Sequence, residues 1–221
     1  MIKLLLPLLF TLTTITEANI LDVDSKRLIR IVGVIDGQIL QQADKLLKLT
    51  EDKTKSDIFI LLNSPGGQVF PGEVFIDAIG QAQAMGITVK CFSPVYAASM
   101  AFNIMLHCNE NYVLNHTKLL FHPVRRGYKG VIKAKDALEI AKDLLKIDQR
   151  LLTILDNKLT LSGEQIRYHY DRETFWNGSE LAPLFKNDFF KVVKGITGIK
   201  DIFQISPKGS QGYMTNLPDV R

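Results

Sequence analysis

Ser99, His122 and the acidic residues Asp171 and Glu173 are the side chains of this sequence whose types could together perform nucleophilic catalysis. A serine hydroxyl is a poor nucleophile until a base takes its proton. Histidine can do so near neutral pH, while a carboxylate fixes the imidazole tautomer and stabilises the imidazolium that forms. Ser99 follows the small residues Ala97 and Ala98, which let the chain turn sharply, and precedes the apolar run that begins at Met100. The pattern predicts that Ser99 opens a buried helix, where free N–H groups favour a developing anion. Upstream, Asn63-Ser64-Pro65-Gly66-Gly67 is the strongest turn signal in the chain. Its glycines allow a backbone N–H to approach the same point. The N–H groups of Gly67 and Met100 are therefore a candidate oxyanion hole, in which one donor is worth about 3 kcal/mol of transition-state stabilisation. Each signal alone has an ordinary structural explanation: a serine that opens a helix is usually a cap, and a histidine at a strand end usually packs. His107, His116 and His169 show no metal-ligand spacing and read as surface or packing residues.

The elements that must position these residues alternate. Strands are predicted over 27–34, 57–62, 87–92 and 117–121. Between them come helices over 39–49, 69–85 and 97–107, the second closed by Gly86. The strand over 117–121 stops at His122-Pro123, because a residue before proline favours extended geometry. Such alternation predicts an α/β fold with a mostly parallel sheet covered by helices. A long helix is predicted next, over 133–158, with Ala137, Ile140, Leu144, Ile147, Leu151 and Ile154 at spacings of three and four. Leu138, Leu145 and Leu152 widen the stripe, which is buried either on the chain's own sheet or against another chain. Ser162-Gly163-Glu164-Gln165 has the capping-box pattern and opens a further helix that ends near Asp171-Arg172-Glu173.

With 221 residues, 46% apolar and 23% charged, the chain is predicted to form one folded domain over 19–205, with a flexible tail over 206–221. Twenty-seven Lys and Arg against 23 Asp and Glu leave no polybasic tract, so nucleic acid is not an expected partner. Cys91 and Cys108 fit no zinc spacing; they either pair or stay reduced. No metal or cofactor is expected, and no P-loop is present. Residues 1–18 have a lysine at position 3, an uncharged apolar run and Thr16-Glu17-Ala18, which reads as a signal peptide cleaved after Ala18. The run is about a dozen residues, short of the roughly 20 of a stable membrane span. Export to a periplasmic or extracellular compartment is the expectation. A pro-segment or a core strand is the alternative, and would leave the chain cytoplasmic.

Several of these motifs occur together in one order: Leu62-Asn63-Ser64-Pro65-Gly66-Gly67, Ala97-Ala98-Ser99-Met100, Phe121-His122-Pro123, Leu144-Leu145-Lys146-Ile147 and Glu164-Gln165-Ile166. Over roughly residues 27–188 the sequence resembles the proteolytic subunit of Clp protease, in the ClpP/crotonase superfamily. The resemblance implies a superhelical core of repeated ββα units with a mostly parallel sheet and a long protruding helix. It implies a serine endopeptidase with Ser99 as nucleophile, His122 as general base, and Gly67 and Met100 as oxyanion hole. The family acid falls on Glu173, an aspartate in the family, and the extra methylene moves the carboxylate by about 1.5 Å; Asp171 is the alternative. Tyr96 stands where the family commonly has glutamine, and Ala101-Phe102 replaces a Gly-Ala pair. The resemblance further implies cleavage of unfolded proteins or short peptides inside stacked heptameric rings, built through the long helix and the strand after it. An AAA+ unfoldase would be the partner if the chain is cytoplasmic. Two other readings keep the fold: a non-catalytic assembly subunit, and a crotonase-like acyl-CoA enzyme.

Overall fold

The computed structural model describes residues 20–52 and 55–200; the signal peptide assigned to 1–18 and the tail assigned to 206–221 lie outside the described residues. The chain runs through β1 (Ile20–Asp22), β2 (Leu28–Val32), α1 (Ile39–Thr50), β3 (Ile58–Asn63), α2 (Val69–Ala84), β4 (Val89–Ser93) and β5 (Tyr96–Ala98). It continues through α3 (Met100–Leu106), β6 (Glu110–Val113), β7 (Lys118–Leu120), α4 (Ala134–Lys158), α5 (Gly163–Asp171), β8 (Phe175–Asn177), α6 (Gly178–Leu181), β9 (Phe190–Val192) and β10 (Gly195–Thr197).

Five strands in the order β2-β3-β4-β6-β9 form a wholly parallel sheet. β3 reads Ile-Phe-Ile-Leu-Leu-Asn and is buried at every position, because the sheet is covered on both faces. Alternate residues divide between two clusters. Ile29, Ile60, Leu62 and Cys91 face the helices, with Leu46, Phe75 and Ile79. Leu28, Phe59, Leu61 and Phe92 face the other way and pack with Leu21 and Val23, beside the small β1-β10 ribbon. Burying each such side chain contributes about 1.5–3 kcal/mol. α1 turns Ile39, Ala43, Leu46 and Thr50 inward at helical spacing, as the pattern of its sequence requires.

Of the second, three-stranded sheet, β5-β7-β8, the sequence reveals β7 alone, as the strand predicted over 117–121. β5 and β8 are three residues long, too short for a period to declare itself, and are made by pairing rather than by propensity. For the same reason residues 97 and 98 are in a strand and not at the start of a helix, as their small side chains suggest. β6, β9 and β10 likewise carry no readable pattern.

The long helix α4 is as predicted, but only Leu155 is buried in it, with Leu151, Leu152 and Ile154 packed partly on the core. Leu138 and Leu145 are 56% and 66% exposed, so the N-terminal half stands off the body. A stretch without regular secondary structure, residues 121–133 with the exposed Tyr128 and Val131, precedes α4. Beyond α4 come a single bridge, Leu159 to Phe185, and then α5, capped by Ser162 and Gln165 as expected. Cys91 and Cys108 form a disulfide that joins β4 to the residues just beyond α3. Among the described residues no helix is long and apolar enough to cross a membrane.

Candidate active site

The small sheet gathers the candidate residues through its register. β5 lies parallel to β7, with Ala97 opposite Leu119 and Ala98 opposite Leu120. The Ser99 N–H donates to the Leu120 carbonyl at 2.9 Å, so Ser99 leaves its strand at the end where β7 delivers His122. β8 runs antiparallel to β7, with Phe175 opposite Leu120. That pairing stops two residues before His122 on one strand and begins two residues after Glu173 on the other, where Glu173 turns the chain with φ 53°, whereas Asp171 is exposed at the end of α5. The glycine turn joins from the other side: the Ser64 N–H donates to the Tyr96 carbonyl at 2.9 Å, and the Ala98 N–H to the Ser64 carbonyl at 3.1 Å.

Ser99 is a sharp elbow between β5 and α3, with φ 54° and ψ −124°. A non-glycine residue in such a region costs on the order of 1–3 kcal/mol and persists only where its surroundings impose it. Ser99 makes no capping hydrogen bond, so the ordinary explanation for a serine at a helix start does not apply to it. Gly66 packs directly beneath the elbow. A Cβ on it would lie 2.6 Å from the Ala98 carbonyl oxygen and from Ser99 Cβ, and 2.7 Å from the Met100 nitrogen. On the next turn of chain, the Ile35 N–H donates to the Gly66 carbonyl and the Gln68 N–H to the Ile35 carbonyl, both at 2.8 Å. Those bonds use the groups on either side of Gly67, so the N–H of Gly67 itself faces away from Ile35. Helical bonding back to Ser99 begins with the Asn103 N–H at 3.0 Å, which leaves the Met100 N–H ahead of the ladder.

Ser99, His122, Gly67 and Met100 all line one cleft of about 550 Å³. Its walls are α2, α3 and α4, with Ile76, Ile147, Leu151 and Ile154 supplying apolar surface and Asp77, Asn103 and His107 polar surface. Arg150 of α4 bonds to Glu73 of α2 at 3.0 Å across it. His107, expected only at the surface or in packing, lines this cleft; burial holds its imidazole pKa below the ordinary value, Lys158 lowers it further and Asp77 opposes both. His116 is exposed, and His169 packs on Trp176 with Nδ1 3.1 Å from Thr174 Oγ1.

His122 is half-buried, and its Nδ1 lies 2.8 Å from the Pro123 carbonyl oxygen. Burial pushes its pKa below the ordinary imidazole value; the Pro123 carbonyl raises it, Arg125 lowers it and Asp148 raises it. The Glu173 carboxylate is ion-paired with Arg125. Sequence reasoning misses Asp148, Tyr170 and Arg125: a charged residue on a mostly exposed helix and a tyrosine on another carry no local signal of where they meet.

The family model described as "Clp protease" matches residues 16–182, about three quarters of the chain. The chain belongs to the Clp protease family. It is similar to the ATP-dependent Clp protease proteolytic subunit 2 of Tropheryma whipplei (strain Twist), at 27% identity over 158 residues, which cover 70% of this chain and 85% of that relative. Membership makes the chain a Clp-type peptidase in broad terms, and the mixed α/β architecture with its mostly parallel sheet is consistent with the ClpP/crotonase-like fold.

Proposed function

We propose that the protein is a serine endopeptidase in which Ser99 attacks the scissile carbonyl. His122 takes the hydroxyl proton on Nε2, and the N–H groups of Gly67 and Met100 hold the oxyanion of the tetrahedral intermediate. Collapse of the intermediate breaks the C–N bond, passes the proton to the leaving amine and leaves an acyl-Ser99 ester. Water, deprotonated by the same imidazole, then hydrolyses that ester. The resemblance offers Glu173 as the acid, with Asp171 as the alternative, and the place of Glu173, just before the strand β8 that pairs with β7, supports it over Asp171 in α5. The observation that carries the reading is the uncapped Ser99 elbow, delivered by β5 to the cleft that His122, two residues beyond β7, also lines.

A reading as a non-catalytic subunit has one observation in its favour, the pairing of Glu173 with Arg125. A fluorophosphonate probe decides between the two. Covalent labelling of the parent that is lost in Ser99→Ala, together with loss of turnover of a short fluorogenic peptide, is expected; an unlabelled parent, or turnover undiminished in Ser99→Ala, rejects the peptidase.

The substrates we propose are unfolded proteins or short peptides, cleaved inside a chamber of self-assembled rings. The exposed leucines of α4 support that assembly. We further propose export, supported by the Cys91–Cys108 bond, since disulfides persist in oxidising compartments. An exported chain would act on short or already unfolded substrates unaided. In the cytoplasm, an AAA+ unfoldase would feed it.

A further inference from the structure

We infer that Asp148 is the positioning carboxylate of His122, and that it acts through the peptide group between Pro123 and Val124 rather than by direct contact. The inference rests on the reading of His122 as the base. Three hydrogen bonds make the path. The first is between His122 Nδ1 and the Pro123 carbonyl oxygen, 2.8 Å apart. A carbonyl only accepts, so the proton of this bond is on Nδ1 and Nε2 is left as the free base, the tautomer that deprotonation of Ser99 needs. The second comes from the other end of the same peptide group, where the Val124 N–H donates to Asp148 Oδ1 at 2.7 Å. A carboxylate on the N–H end draws charge toward the carbonyl end and makes that oxygen a stronger acceptor for the imidazole. The third is from the Tyr170 hydroxyl, which donates to the same Oδ1 at 2.5 Å.

Tyr170 explains why the carboxylate stays in place. It is 1% exposed, and its ring stacks on Phe121, the residue before His122, at 6.4 Å between centroids. One buried side chain of α5 thus holds both the Asp148 oxygen and the end of the strand that carries the base. The charged groups around His122 are Arg125 on its own segment, paired with Glu173, and Asp148 from α4. Farther along the cleft are Glu73 and Asp77 from α2, His107 from the end of α3 and Arg150 from α4. Asp148 pulls the imidazole's pKa up and Arg125 pushes it down. Glu173 in this arrangement neutralises Arg125, and the stabilisation of the imidazolium falls to Asp148.

The test is an NMR titration of His122 in the histidine-labelled full chain, assigned with His122→Gln, alongside turnover of a short fluorogenic peptide. Asp148→Asn keeps an amide oxygen that accepts both bonds and removes only the charge. The His122 midpoint should fall by about one pH unit, with kcat down about tenfold or more and KM changed by less than about twofold. An unmoved midpoint with parental kcat overturns the inference, as does the same fall produced by Glu173→Gln with none from Asp148→Asn. Tyr170→Phe removes one of the two bonds and leaves the charge; it should lower kcat severalfold. Parental kcat and midpoint in that variant also overturn the inference, and it carries the test if Asp148→Asn does not fold. A midpoint that moves as expected in a protein whose parent neither turns over peptide nor takes the fluorophosphonate rejects the peptidase reading and leaves the Asp148–His122 coupling standing.

Discussion

At the scale of single residues, Arg125 is the group whose removal reads the electrostatics of the base most directly. Its guanidinium lowers the His122 pKa and is itself paired with Glu173. A general base must be neutral to act, so kcat/KM falls as pH drops through its pKa. With the His122 pKa held below the ordinary imidazole value, the acid limb of the parent should lie below about pH 6.5. Arg125→Gln removes a positive charge and releases Glu173, and both changes favour the imidazolium. The limb should therefore move to higher pH, and a pH profile of kcat/KM that moves down or stays put contradicts the assignment of His122 as base. Ser99 and His122 are legible as a pair from their neighbours alone, since a turn of small residues and a proline-stopped strand are local patterns. The partners of His122 are not. Asp148 and Tyr170 come to the peptide group beside it only because α4 and α5 fold back past the end of β7.

Among the elements, the glycine turn has the least tolerance. Gly66 has φ +88°, and a Cβ there would collide with backbone atoms of Ala98 and Met100, which cannot swing aside as a side-chain end can. Gly66→Ala should push the elbow away from the turn. If the Gly67 and Met100 N–H groups act together, kcat should fall by about a hundredfold or more, the usual cost of one misplaced oxyanion donor, with a lower thermal midpoint. Parental kcat in a folded Gly66→Ala variant would mean that the turn does not serve the chemistry. Gly80→Ala is the control, because an added Cβ at that exposed position of α2 has open space around it. The turn itself is legible in Asn63-Ser64-Pro65-Gly66-Gly67, as are the parallel strands with long apolar runs and the five longer helices. The small sheet that uses the turn is not. Three-residue strands such as β5 and β8 have no periodicity to read, and the buried Ala97 gives no hint that it pairs with Leu119 of the strand predicted at β7.

For the whole molecule, the unpacked half of α4 leads to a prediction about assembly. Leu138 and Leu145 lie on a helix whose only buried residue is Leu155, and an apolar stripe of this kind is stable in water when another surface covers it. Sedimentation of the parent at micromolar concentration should give a ring-sized oligomer, and Leu138→Glu with Leu145→Glu should shift it to smaller species while circular dichroism stays unchanged. A parent that sediments as a monomer would contradict the chamber. The bond between Cys91 and Cys108, 17 positions apart, has a consequence of another kind. It closes β5, Ser99 and α3 into a macrocycle, and a loop of this size contributes about 3 kcal/mol by restricting the unfolded chain. Scission of any one peptide bond inside that ring opens it without parting the polypeptide. A molecule nicked beside its own Ser99 keeps its full mass on a denaturing gel until a thiol reductant separates the pieces.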